Sequence, residues 1–88
     1  MYEIIFSQSA QRQLKKLNKD IQKRIIAVLE RIRIRPEAHV RRLVNDPAYR
    51  LRVGDYRVIM DIDRNRLVIL ILKIGHRRSI YKLVMKKK

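Results

Sequence analysis

The sequence predicts a small single-domain α+β fold. It has an N-terminal strand, a helical hairpin, then an antiparallel β-meander, with the helices packed on one face of the sheet. Three observations predict it. Ile4-Ile5-Phe6 is apolar but too compact for a helix face. Apolar residues then recur at helical spacing from Ala10 to Ile32, the mark of amphipathic helices. From Tyr49 the period changes to two, with Tyr49, Leu51 and Val53 pointing one way and Arg50 and Arg52 the other, as in a half-buried strand.

In order, Tyr2 to Phe6 reads as a short strand. Ser7 or Ser9 offers a cap oxygen for the first helix. Ala10, Leu14 and Leu17 form its apolar side, with Arg12, Lys15 and Lys16 between them. Asn18 to Asp20 breaks the pattern, and Asp20 is the expected cap of a second helix. Ile21, Ile25, Val28, Leu29 and Ile32 lie on one stripe of that helix. It ends by Pro36, because the residue before a proline avoids the helical region. Lys15, Lys19, Lys23, Arg24, Arg31 and Arg35 face outward as a broad basic surface.

Glu37 to Ala48 reads as a connector with Pro36 and Pro47 at its edges; it carries His39, Arg41 and Arg42. Tyr49–Val53, Gly54-Asp55 and Tyr56–Ile62 read as a hairpin, and Gly at the first central position suits a type II′ turn. Asp63-Arg64-Asn65 is a polar turn, and Arg66 to Ile74 is apolar on both faces. A strand of that kind belongs inside a sheet. Helices on one side leave the other sheet face apolar beside the arginines, a surface for a partner segment. Gly75 closes the strand, followed by His76-Arg77-Arg78, Tyr81 and the tail Lys86-Lys87-Lys88.

The 88 residues make one domain, 1–88, with 47% hydrophobic residues to supply a core. Lys+Arg number 23 against Asp+Glu 8, a formal net charge of +15. That excess is unusual for a small enzyme acting on a neutral metabolite and implies a polyanionic partner: nucleic acid, a ribosome, an acidic protein or an anionic membrane. The absence of cysteine rules out a disulfide framework, a thiolate nucleophile and a zinc–cysteine site. No apolar run approaches a membrane span, and no basic region precedes the apolar residues at the N-terminus. A cytoplasmic protein is expected. The basic helix faces lack interfacial Trp or Phe, which argues against a membrane-surface role.

If the loop is Gly54-Asp55 alone, Arg52 pairs with Arg57. Directly opposed residues share a face, so Arg50, Arg52 and Arg57 converge on one side of the hairpin. Like charges so placed repel, and a phosphate turns the repulsion into a site. The plain alternative is a solvated face whose arginines splay into water. His39 stands without a second histidine or carboxylate at ligand spacing and reads as an ordinary loop residue. Asp61 and Asp63 alternate on a strand with no third ligand. Neither a Gly-rich phosphate loop nor a Ser/His/Asp order is present.

The run Tyr49-Arg-Leu-Arg-Val-Gly-Asp-Tyr-Arg-Val-Ile59, the apolar strand after it, and the ending Gly75-His-Arg-Arg-Ser-Ile-Tyr81 resemble the RelE family of toxin–antitoxin ribonucleases, in the RelE/ParE superfamily. The resemblance covers nearly the whole chain. It implies cleavage of mRNA in the ribosomal A site by attack of the substrate's own 2′-hydroxyl, without metal or other cofactor. It assigns Arg50 and Arg52 to the family's two strand basics, Arg57 to its second-strand arginine, Arg77 to the arginine after the glycine, and Tyr81 to its late tyrosine. His76 and Arg78 stand beside them as RNA-binding residues. It implies as partners the ribosome with its rRNA and mRNA, and an acidic RelB-like antitoxin that wraps the toxin in a hetero-oligomer.

Two departures stand out. Related toxins often carry lysine at the strand positions, one of them a candidate general base, where this chain has arginine. A tyrosine common after the Arg57 position is Met60 here. Arginine stabilises a phosphorane but holds its own proton. Histidine is the side chain suited to proton transfer near neutrality, which makes His76 the secondary candidate. Tyr81 can stack on an unpaired base or merely pack at the sheet edge. Two other readings stay open: a ParE-like gyrase poison of the same fold, and a basic RNA- or ribosome-binding module without catalysis.

Overall fold

Residues 1–80 are described in the computed structural model. The chain runs through β1 (Glu3–Phe6), α1 (Gln8–Lys16), α2 (Lys19–Ile32), a 3-10 turn at Pro36–Ala38, β2 (Arg41–Arg42), β3 (Tyr49–Val53), β4 (Tyr56–Asp63) and β5 (Val68–His76). It is helical again at residues 77–80. The strands form one sheet in the order β1-β5-β4-β3-β2. β2 to β5 are an antiparallel meander, and β1 adds to β5 in parallel. The expected α+β architecture is therefore present, with β5 inside the sheet as its two-sided apolar pattern required.

The helices start where side chains satisfy their open N–H groups. Ser7 Oγ accepts from the Ala10 N–H at 3.1 Å, and Asn18 Oδ1 accepts from the Ile21 N–H at 3.1 Å. The second cap is Asn18, not Asp20; Asp20 lies in the first turn of α2, where its charge still favours the helix dipole. Gln22 Nε2 donates to the Leu17 carbonyl at 2.7 Å and closes the hairpin between the helices. Beyond Phe6, β5 loses β1 as a neighbour. Ser7 Oγ then donates to the Leu72 carbonyl at 3.0 Å, and Gln13 Oε1 accepts from the Ile74 N–H at 2.7 Å. Two polar residues of the α1 region thus complete the ladder that β1 is too short to make.

The main core lies between the helices and one sheet face. Ile25, Leu29 and Ile32 of α2 meet Leu51, Val53, Val58, Met60, Ile69, Ile71 and Ile74. Burying each such side chain contributes about 1.5–3 kcal/mol.

The second face corrects the sequence reading. It is not left apolar and open beside the arginines. Leu43, Ala48, Ile59, Leu72 and Ile80 form a smaller core there, and Ile80 is 1% exposed. Residues 77–80 follow β5, and Ile80 packs over this face. A Cβ at Gly75 would stand 3.2 Å from Ile80 Cγ1, so glycine permits the close approach. Among the described residues, Ile5 stays exposed on this face, toward the β1 edge.

Other boundaries shift as well. The connector holds a 3-10 turn and β2, β5 begins at Val68 rather than Arg66, and its last residue is His76. The Gly54 turn matches expectation: Gly54 has φ +58° while Asp55 stays out of the left-handed region, which fits type II′ and not type I′.

Candidate functional site

The hairpin of β3 and β4 sets the site. Register places Arg52 directly opposite Arg57 and Val53 opposite Tyr56. Arg50 lies two residues from Arg52 on β3, so Arg50, Arg52 and Arg57 share the sheet face turned away from α1 and α2. Their exposures differ. Arg52 is exposed, Arg50 half-buried, and Arg57 only 5% exposed.

Arg57 is folded back on its own turn. Its Nη1 donates to the Gly54 carbonyl at 2.8 Å and to the Tyr56 carbonyl at 2.9 Å. Those bonds brace the turn and hold the buried Arg57 guanidinium against it. The backbone N–H of Arg77 donates to the Asp55 carbonyl at 2.8 Å. It ties the end of β5 to the same turn, with the Arg77 side chain exposed. Hairpin register thus sets Arg50, Arg52 and Arg57 on one face, and the Arg77 backbone is bonded to the same turn.

His76 stands apart from them. It pairs with Tyr56, whose side chain packs against the helix-side core. The two rings meet edge to face at 5.6 Å. His76 Nδ1 accepts from the Arg78 N–H at 3.3 Å. Arg78 is exposed. Tyr81 and the lysine tail lie outside the described residues. Among the described residues, no group of three or more His, Asp or Glu side chains is placed to hold a metal.

The structure adds one residue that sequence reasoning left in the connector. Arg41 of β2 pairs directly with Arg50, so it belongs to the same face. Its neighbour Arg42 turns the other way, with its guanidinium 5.2 Å from the Tyr49 ring centre and Nη2 donating to the Tyr49 hydroxyl at 3.1 Å. A strand of two residues between prolines carries no alternation to read, which is why Arg41 escaped.

Arg50, Arg52 and Arg57 gather cationic side chains on one face, a chemistry suited to an anion. It supplies charge and directed N–H donors for a phosphate, and no proton acceptor of its own.

The fold and the sequence both have known relatives. Residues 4–81 match the family model described as the ParE toxin of the type II toxin–antitoxin system parDE. Similar solved structures include the RelBE2 toxin–antitoxin complex from Mycobacterium tuberculosis, with 24% identity, a TM-score of 0.80, and coverage of 85% of this chain and 96% of that one. The RelE–RelB complex from Pyrococcus horikoshii has 28% identity, a TM-score of 0.71, and coverage of 86% and 94%. The isolated RelE toxin of E. coli has 20% identity, a TM-score of 0.75, and coverage of 99% and 98%. No curated protein sequence matches significantly. With the family model spanning nearly the whole chain, this protein belongs to the ParE toxin family of type II toxin–antitoxin systems, in the RelE/ParE superfamily.

Proposed function

We propose that this toxin is a metal-independent endoribonuclease that cuts mRNA in the ribosomal A site and so stops translation. The observation that carries the reading is the exposed Arg52 set across from the buried Arg57, with Arg50 on the same face and the Arg77 backbone bonded to the same turn. In such a reaction the 2′-oxygen of one nucleotide attacks the adjacent phosphorus and the bond to the 5′-oxygen breaks. The products are a 2′,3′-cyclic phosphate and a 5′-hydroxyl. Charge accumulates on the phosphorane oxygens, where arginine donors are most effective. The proton leaving the 2′-hydroxyl needs an acceptor, and the leaving oxygen needs a donor. Arginine does neither well, so the ribosome's positioning of the message carries much of the rate. Tyr81 is assigned to base stacking, His76 and Arg78 to RNA contact.

An acidic antitoxin is the natural partner of a chain of net charge +15. Solved relatives are toxin–antitoxin complexes from Mycobacterium tuberculosis and Pyrococcus horikoshii. We assign this toxin a RelB-like antitoxin in a hetero-oligomer, and a cytoplasmic site of action where ribosomes are found. Among the described residues no helix is long and apolar enough to cross a membrane.

The family match to ParE favours a second reading, poisoning of DNA gyrase without nuclease activity. A supercoiling assay beside a programmed-ribosome cleavage assay separates the two. Cleavage with unaffected supercoiling supports the ribonuclease. Blocked supercoiling with intact message supports the gyrase poison.

A further inference from the structure

We propose that Arg41 forms an additional phosphate subsite, which extends the arginine face onto the edge strand β2 and receives the backbone of a single-stranded RNA. The proposal rests on the RNA reading above. Arg41 is opposite Arg50, and Arg52 opposite Arg57. Opposed side chains on neighbouring strands start about 5 Å apart, and residues two apart on one strand start roughly 7 Å apart. The cations therefore step diagonally across three strands, Arg41 to Arg50 to Arg52 to Arg57. A linear polyanion matches that order better than a single phosphate does.

The edge strand is pinned for this purpose from both sides. Arg42 grips Tyr49 on the helix side. On the arginine side Leu43 packs into the cluster of Ala48, Ile59, Leu72 and Ile80, and its N–H donates to the Ala48 carbonyl at 2.9 Å. Two such anchors fix the backbone that carries Arg41. The Arg41 side chain itself is exposed and makes no hydrogen bond or ion pair with any described residue.

The test is the salt dependence of binding of the full-length toxin to a fluorescein-labelled single-stranded RNA, followed by anisotropy. On a single strand the slope of log K against log salt changes by about 0.7 for each phosphate neutralised. Arg41→Ala is expected to reduce the slope by that amount and to weaken binding several-fold. Arg41→Lys keeps the charge and the slope. Arg12→Ala, an exposed change on α1, leaves the slope alone. A slope for Arg41→Ala equal to that of the unmodified protein, or lowered only as far as for Arg12→Ala, overturns the proposal, as does an unmodified protein without salt-dependent RNA binding. The ribonuclease reading fails separately: a toxin that shows the Arg41 effect but cuts no message on ribosomes binds RNA without cleaving it.

Discussion

Arg52 of β3 stands directly across the hairpin from Arg57 of β4, yet the first is exposed while the second is 5% exposed and bonded to the carbonyls of Gly54 and Tyr56. One position thus meets solvent, and the other braces the turn. The pair sets an exposed guanidinium against a buried one within a single cross-strand step.

That separation predicts opposite outcomes for two similar substitutions. Arg52→Ala removes an exposed charge from a repulsive pair, so stability stays within about 0.5 kcal/mol of the unmodified protein. Activity falls by about 10²–10³, the cost of losing one donor to a developing oxyanion. Arg57→Ala strips a charged donor from two carbonyls and costs about 2–3 kcal/mol. Urea melts read both values. Equal stability losses would show that the two arginines share one environment after all.

Gly54→Ala tests the turn. A side chain at φ +58° costs roughly 1–2 kcal/mol. The added methyl would stand 3.3 Å from Arg24 Nη1, the mobile end of a long side chain, so contact adds little to that strain. Gly54→Asn recovers part of the loss, because asparagine tolerates the left-handed region. Thermal melts that rank asparagine below alanine would contradict this account of the turn.

Ile80→Ala tests the second core. The side chain is 1% exposed against Ala48 and Ile59, and its truncation is expected to cost about 2–5 kcal/mol. A loss below about 0.5 kcal/mol in denaturant unfolding would mean that this face is not closed as described.

The hairpin was legible in the sequence because strand alternation and the Gly54 turn are local and fix register between them. Arg52 facing Arg57 followed directly. Three features were not legible. Asn18 and Asp20 are both good capping residues, and only the bond from the Ile21 N–H decides for Asn18. The parallel pairing of β1 with β5 joins Glu3 to Val68, a long-range choice that leaves no short-range signal. The cover of the second face comes from Leu43, Ala48 and Ile80, residues scattered outside the long strands. Arg50, Arg52 and Arg57 share one face as the hairpin pattern suggested, the Arg77 backbone is tied to the same turn, and His76 faces the helix side through Tyr56. Arg41 required the β2 register to be found.

The central claim is that the hairpin face cleaves RNA. The most direct measurement is primer extension on a message translated in vitro with the unmodified toxin, and with Arg52→Ala and Tyr81→Ala proteins shown to be folded. The account predicts discrete cuts at A-site codons for the unmodified toxin, and cuts weakened by at least an order of magnitude in both variants. An intact message in the presence of a folded, ribosome-bound toxin would contradict it.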